Sequence, residues 1–136
     1  EKPLNKPSDI ARHVFLHDDD GASWDTWLAQ AGVGDIDAST GTYFSDSALA
    51  LQAAVEGQGL ITAGSILAAN DLAAGRLVIP FDVFMRNRNA YYLTFPKATE
   101  ANQKIESFRN WISEKAAEYL KLRIGLDQYV VKRDVR

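Results

Sequence analysis

Strand-like and helix-like segments alternate along residues 13–83, and this alternation constrains the fold more than any other feature of the sequence. Short runs typical of strands lie at 13–17, 40–44, 60–63 and 77–83, with helix-like stretches between them at about 23–31, 46–56 and 65–74. Successive strands joined through single helices form βαβ units, in which the strands run parallel. The chain is therefore predicted to be an α/β domain built on a mainly parallel sheet.

Capping residues and the spacing of apolar side chains define the predicted helices. Behind Ser23, the predicted N-cap of the first helix, four apolar side chains recur at i, i+3, i+4 and i+7 and share one face: Trp24, Trp27, Leu28 and Ala31. The second helix is predicted to begin at Asp46 or Ser47 and to stop at Gly57, where glycine suits a left-handed cap.

The alternating pattern ends after residue 83. A polar connection at 85–89 precedes the strand-like stretch 90–95, which Pro96 ends. A long amphipathic helix is predicted at about 101–122, with one apolar face formed by Ile105, Phe108, Ile112, Ala116 and Tyr119.

Composition excludes several classes of protein. The 136 residues suffice for one domain, and 46% hydrophobic residues can build a core. The absence of cysteine excludes disulfides and thiolate metal sites. A net charge of −3 argues against nucleic-acid binding by these residues alone, and no apolar run is long enough for a membrane span. Residues 17–56 carry acidic side chains but no Lys or Arg, which indicates either a solvated surface or steering of a ligand.

The glycines at 57, 59 and 64 suggest a nucleotide-binding loop, but their spacing is G-x-G-x4-G and they precede a strand instead of a helix. The histidine and adjacent carboxylates of HDDDG, residues 17–21, suggest a metal site, yet consecutive side chains diverge and no second ligand cluster exists. No nucleophile motif or paired acid and base is present. We therefore predict no enzyme activity, no catalytic residues, no metal and no cofactor.

The junctions where strands lead into helices are the predicted site. In open α/β sheets, ligands bind beyond the carboxyl ends of the strands, and helix N-termini there offer free N–H groups. The junctions are 17–23, 44–47 and 63–65, and each contains small hydroxyl side chains: Ser23, Ser45, Ser47 and Ser65. These serines are either helix caps only or part of a pocket lining.

Several stretches in their order and spacing resemble the effector-binding region of LysR-type transcriptional regulators. They are HVFLHDD (13–19), WDTWLAQAG (24–32), FSDSALALQAA (44–54), GQG (57–59), DLAAGRL (71–77), PF (80–81), AYYLTFP (90–96) and FRNWI (108–112). The resemblance covers about residues 5–116 and is strongest to the branch typified by the glycine cleavage system activator.

This resemblance implies a fold like type II periplasmic binding proteins, with two α/β lobes joined by crossing strands. Lobe two would be complete with its crossing strands, and lobe one only partly present. The implied division is 1–12 as a linker or part of lobe one, 13–95 as lobe two with the crossing strands 13–17 and 90–95, 96–122 as a helix returning to lobe one, and 123–136 as a tail.

The resemblance also implies a function. A cytoplasmic regulator of this family is a homodimer or homotetramer that binds a small-molecule effector between its lobes. It reads DNA through an N-terminal winged helix-turn-helix, which this chain lacks, and it has no membrane segment. The effector-binding residues expected from the junctions and the resemblance together are His17, Asp18, Ser45, Asp46, Ser47, Ser65 and one of Tyr91 and Tyr92.

Two other functions remain as alternatives at the level of sequence. The first is the solute-binding protein of a transporter, which shares the fold, and the second is an enzyme of unrecognised type. The apolar face of the 101–122 helix is a separate expectation: we expect it to be covered by another copy of the chain or by a segment absent from it.

Overall fold

The computed structural model describes residues 3–18, 21–86, 92–99, 102–121 and 128–133. One mixed sheet contains β1 (Phe15–His17), β2 (Gly41–Tyr43), β3 (Leu60–Gly64), β4 (Leu77–Val78), β5 (Phe84–Met85) and β6 (Gln128–Arg133). Its order is β2-β1-β3-β6-β4, and β5 also pairs with β6. The strands β1, β2 and β3 are parallel, whereas β6 is antiparallel to β3, β4 and β5. The predicted α/β class is confirmed.

Four α-helices are described: α1 (Ala22–Gln30), α2 (Ser47–Val55), α3 (Ser65–Ala73) and α4 (Gln103–Lys121). Two short 3-10 helices, Pro7–Arg12 and Lys97–Thr99, complete the regular structure of the described residues. Each predicted helix is present within a few residues of its expected bounds. The predicted strand at 77–83 is instead two short strands, β4 and β5, separated by residues 79–83.

The sheet is packed on both faces. On one face, α1 contributes Trp24, Trp27 and Leu28 to a core that also contains Phe15 and Leu60. On the other face, α2 and α3 supply mainly alanines and Leu51, which lie against a second group of sheet residues: Leu16, Ile61, Leu77 and Val131. The small side chains of α2 and α3 allow these helices to lie close to the strands. The chain therefore has a helical layer on each side of the sheet.

Backbone geometry at the helix ends confirms some of the predicted caps and corrects one. The predicted Ser23 cap is wrong, because α1 begins at Ala22 and Gly21 is its N-cap with φ of 96°. Only glycine adopts such a conformation without strain. Asp46, one of the two residues predicted to begin α2, is its N-cap, and Gly57 follows that helix with φ of 77°.

Two other segments are compared with the sequence-based expectations. Residues 1–12 were expected to be a linker or part of lobe one, and within them Pro7–Arg12 form a 3-10 helix whose Ile10 is fully buried in the core with α1. The backbone amides of Asn5 and Lys6 donate to Asp9 Oδ2 at 2.9 and 3.0 Å, which fixes this turn. Residues 92–95 form no strand, so the predicted strand at 90–95 is wrong over its described part; residues 90 and 91 lie outside the described residues.

The expected tail at 123–136 contains a strand in the middle of the sheet. Within it, β6 lies between β3 on one side and β4 and β5 on the other. Its two central valines, Val130 and Val131, are each 1% exposed. The local sequence pattern could not predict this position, because the strands that pair with β6 are at least 40 residues away along the chain. Val131 pairs with Ile61, and Gln128 pairs with Met85.

Candidate functional site

Three parallel strands bring the predicted junctions to one edge of the sheet. Since β1, β2 and β3 run in the same direction, their carboxyl ends lie at the same edge, where each is followed by a helix. The chain leaves β1 for β2 on one side and leaves β3 for β4 on the other side. The carboxyl ends of β1 and β3 therefore form a topological switch point, which is where open α/β sheets bind ligands. We call this the carboxyl edge.

His17 ends β1 at the carboxyl edge and is 1% exposed. Its ring stacks on that of Tyr43, the neighbouring residue in register on β2, with centroids 4.2 Å apart and planes 7° apart. Neither ring nitrogen of His17 has a hydrogen-bond partner among the residues that the structure describes. Buried polar atoms are normally satisfied, so these two nitrogens are an exception that calls for a role.

Gly41 provides the space that the His17 ring occupies. A Cβ atom at position 41 would overlap the carbonyl oxygen of Phe15 and come within 3.0 Å of His17 Nε2. Glycine is therefore required at this point of β2, because any side chain would push the two strands apart. Sequence reasoning missed both Gly41 and Tyr43, since the pairing of β1 with β2 is needed to place them beside His17.

The second junction is the start of α2. Asp46 Oδ1 accepts hydrogen bonds from the backbone amides of Ala48 and Leu49, at 2.8 and 3.3 Å. This carboxylate oxygen therefore caps the start of the helix. Ser45 on one side is exposed, and Ser47 on the other is partly buried.

The third junction is the start of α3, where Gly64 is the N-cap and Ser65 the first helical residue. Ser65 is buried, so its hydroxyl lies below the surface of the carboxyl edge. Gly64 has open space around its Cα, because a Cβ atom there would meet nothing within 4 Å. The backbone at this junction is therefore more accessible than the serine that follows it.

The remaining expected site residues are less well placed. Asp18 follows His17 and is partly buried. Tyr92 is 83% exposed and belongs to neither a helix nor a strand. Tyr91, the alternative to Tyr92, lies outside the described residues. Only the junction residues of β1, β2 and β3 are therefore brought together by the fold.

The groups at the carboxyl edge are mainly hydrogen-bond donors and acceptors. It offers serine hydroxyls, helix N-termini and the stacked His17 and Tyr43 rings, with the carboxylates of Asp18 and Asp46 beside them. Within the described ranges, no three His, Asp or Glu side chains come together as metal ligands. Such an arrangement can hold a small polar molecule through donors and acceptors.

Comparison with known proteins gives the same family as the sequence motifs. The model of the LysR substrate binding domain matches residues 1–117. The glycine cleavage system transcriptional activator of Escherichia coli (strain K12) is 42% identical over 129 residues, which are 94% of this chain and 42% of that protein. The HTH-type transcriptional activator AmpR of Citrobacter koseri is 32% identical over 113 residues, which are 83% of this chain and 39% of that protein.

The chain spans about two fifths of the length of these curated relatives. A homolog of the glycine cleavage system activator from Haemophilus influenzae (strain ATCC 51907 / DSM 11121 / KW20 / Rd) is 29% identical over 82% of this chain. No solved structure matches the chain significantly. No helix in the described part of the chain combines the length and the apolar character that crossing a membrane requires.

Proposed function

Because this chain belongs to the LysR substrate binding domain family, we propose that it is the effector-sensing part of a LysR-type transcriptional regulator. In the intact protein it binds a small molecule between two lobes. DNA is contacted by an N-terminal winged helix-turn-helix that precedes this part. The regulator is cytoplasmic and works as a homodimer or homotetramer.

The observation that carries this proposal is the carboxyl edge at the switch point of the sheet. Parallel strands and helix N-termini converge there, and the side chains are polar. That combination favours reversible binding of a small polar molecule. The relatives named above are transcriptional activators, and nothing in them favours the transporter alternative.

We assign different roles to the residues of the edge. Ser45 and Ser47 contact the effector with their hydroxyl groups, and the amides at the start of α2 add partial positive charge. Asp46 holds the start of α2 in shape through its two amide hydrogen bonds. His17 and Asp18 complete the site from β1, Ser65 from α3, and one of Tyr91 and Tyr92 from the segment after residue 89.

The described sheet with α1, α2 and α3 corresponds in this proposal to lobe two. The remainder of lobe one lies in the part of the intact protein that this chain does not contain. An effector held between the lobes changes the angle between them, provided that it binds one arrangement more tightly than the other. That change alters how the oligomer holds its operator.

The test uses the intact regulator and a panel of amino acids, purines and peptidoglycan fragments. A binder is identified by a thermal shift, and its dissociation constant is measured by calorimetry for the wild type and for Ser45→Ala and Ser47→Ala. We expect each substitution to weaken binding about tenfold, the effect of losing one hydrogen bond in a desolvated site. Ser8→Ala, at an exposed serine of the 3-10 helix, is the matched control and leaves the affinity unchanged.

If both serine variants bind a confirmed effector as tightly as the wild type, the site assignment is wrong. If no member of the panel binds and operator affinity is also insensitive to cell metabolite extracts, effector sensing itself is contradicted.

A further inference from the structure

Tyr43 presents one face of its ring to the solvent, while the opposite face is covered. The residue is 53% exposed, although His17 lies flat against the inner face of its ring. Because β2 is the outermost strand of the sheet, no strand among the described residues covers the other side. The Tyr43 hydroxyl donates to the carbonyl oxygen of Ser39 at 3.1 Å, which fixes the tip of the ring. We call the uncovered side of this ring the outer face.

His17 fills the space behind the tyrosine. Its two ring nitrogens are buried and have no hydrogen-bond partner in the described part of the chain, an arrangement that is normally unfavourable. The ring contact that His17 does make is the stack on Tyr43, and a Cβ atom at position 41 would come within 3.0 Å of its Nε2. The imidazole is therefore held between Gly41 and Tyr43, where it prevents the tyrosine ring from turning into the sheet.

The outer face lies in the most acidic part of the sequence. Residues 17–56 contain seven Asp, one Glu and no Lys or Arg, whereas the whole chain has 18 acidic and 15 basic residues. The face of an aromatic ring is itself negative, owing to its quadrupole. Carboxylates in the surroundings of such a ring favour a cation on it and disfavour an anion.

One of these carboxylates is connected to the tyrosine through a single residue. The amide of Ser39 donates to Asp37 Oδ1 at 2.8 Å, and the carbonyl oxygen of Ser39 accepts the Tyr43 hydroxyl. Hydrogen bonds from the side chain and then the backbone of Ser39 lower the pKa of Asp37 below its usual value of 3.8. This carboxylate is therefore charged at neutral pH, two hydrogen bonds away from the tyrosine ring.

We propose that the effector carries a positively charged group, an ammonium or a guanidinium, and that this group lies on the outer face of Tyr43. The inference rests on the proposed function, since it concerns the same carboxyl edge. Tyr43 ends β2 two residues before Ser45, so their Cα atoms are no more than about 7 Å apart. One small molecule can therefore place a cation on the ring and a polar group at the start of α2.

Two other kinds of group fit the outer face less well. A neutral planar ring stacks on tyrosine but gains nothing from the surrounding carboxylates. A carboxylate or phosphate is repelled by the carboxylates and by the ring face, and residues 17–56 offer no Lys or Arg to pair with it. Within the panel named above, the inference therefore selects compounds with a free amino group and excludes the purines.

Three small molecules of similar shape test the role of charge on the chain itself. Choline carries a trimethylammonium group, its carbon isostere carries a neutral tert-butyl group, and the matching tert-butyl carboxylate is an anion. Binding is followed by NMR through the ring signal of Tyr43 and the backbone amides of residues 41–45. We expect choline to bind about two- to fivefold more tightly than the neutral isostere, the usual effect of an exposed cation on an aromatic face. The carboxylate should shift none of these signals.

Substitutions at position 43 separate the aromatic ring from other contacts. Tyr43→Trp and Tyr43→Phe retain an aromatic face and should keep choline binding, whereas Tyr43→Leu should weaken it about two- to fivefold. Phe108→Leu is the matched control, because Phe108 is 49% exposed but lies outside the acidic segment. Circular dichroism shows whether each variant is folded.

The intact regulator connects this cation site with effector sensing. For an effector that the panel identifies, calorimetry compares the compound with an analogue in which a neutral group replaces the positive one, in the wild type and in Tyr43→Leu. We expect each change to weaken binding about two- to fivefold. Both changes together should weaken it no more than one alone, because they remove the same contact.

The proposal is overturned if the neutral isostere binds as tightly as choline, if Tyr43→Leu binds choline like the wild type, or if choline shifts none of the signals. It is equally overturned by a confirmed effector that has no positive group, because effector sensing would then stand without the Tyr43 contact. A chain that binds choline through Tyr43, in a regulator that responds to no member of the panel, would support the cation site and contradict the proposed function.

Discussion

Tyr43 lies flat against His17, with the two ring centroids 4.2 Å apart, and so covers a histidine that has no hydrogen-bond partner among the described residues. Tyr43 itself is 53% exposed, whereas His17 is 1% exposed. Only the tyrosine ring faces the solvent at this point of the carboxyl edge. At this point the proposed site presents the Tyr43 ring, and not the buried His17 nitrogens, to the solvent.

Replacement of Tyr43 by alanine tests this relationship. Loss of the stacked ring should lower the free energy of unfolding by about 1 kcal/mol, as aromatic pairs contribute roughly 0.5–1.5 kcal/mol beyond their burial. Tyr43→Phe is the matched control, because it keeps the stacking and removes only the hydroxyl that donates to the Ser39 carbonyl at 3.1 Å. Urea denaturation measures both. Equal stability of the two variants would show that the stacking contributes nothing.

Gly41 should tolerate no side chain. In Gly41→Ala the new Cβ would overlap the Phe15 carbonyl oxygen on the adjacent strand, so β1 and β2 must separate. We expect a loss of about 1–3 kcal/mol in the free energy of unfolding, the usual cost of overpacking. Gly34→Ala is the control, since the nearest atom to its Cβ lies 4.0 Å away. A Gly41→Ala protein as stable as Gly34→Ala would contradict the close approach of these strands.

Asp46 should act on α2 and not directly on the effector. Asp46→Ala removes the acceptor of two backbone amides and should cost about 1 kcal/mol of stability, typical for a lost N-cap. Asp46→Asn retains a capping oxygen and should restore most of that stability. We expect effector affinity to follow stability across this series. An Asp46→Asn variant that is stable but has lost effector binding would show instead that the negative charge contacts the ligand.

The stability of the N-terminal turn should depend on pH in the acidic range. Backbone hydrogen bonds from Lys6 and Asn5, and secondarily the charge of Arg12, lower the pKa of Asp9 below its usual value of 3.8. A carboxyl whose pKa is lower in the folded state stabilises the fold above its unfolded pKa, and this contribution is lost as the pH falls through the folded value.

Asp9→Asn should therefore reduce the free energy of unfolding at pH 7. Below about pH 4, this variant should lose less stability with falling pH than the wild type does. Thermal melts between pH 2 and pH 7 provide the comparison. Asp35→Asn, at an exposed carboxyl in the loop after α1, removes the same charge and serves as the control. If the melting temperatures of wild type and Asp9→Asn fall equally as the pH is lowered, the hydrogen bonds to Asp9 are contradicted.

Local sequence patterns were sufficient to predict the helices and the parallel strands, because apolar periodicity and capping are local properties. Helix α2 shows this clearly, with Asp46 and Gly57 at the expected ends. The start of α1 was misplaced because a left-handed turn at Gly21 opens the helix before Ser23. Turn conformations of this kind have no periodic signal.

The features that depend on sheet order could not be predicted from the sequence. QYVVKR at 128–133 has the composition of a strand, but its position between β3 and β4 depends on pairing with residues far away in the chain. The stacking of His17 on Tyr43 likewise follows from the register of β1 and β2. The three junctions were predicted, whereas the tyrosine and the glycine that shape the first of them were not.

The central claim is that the carboxyl edge binds the effector, and hydrogen–deuterium exchange of the intact regulator tests it most directly. With a confirmed effector bound, the account predicts slower exchange at the amides of residues 45–49, 17–18 and 64–65, and little change along helix α4. Slower exchange elsewhere, with these three junctions unaffected, would contradict the claim.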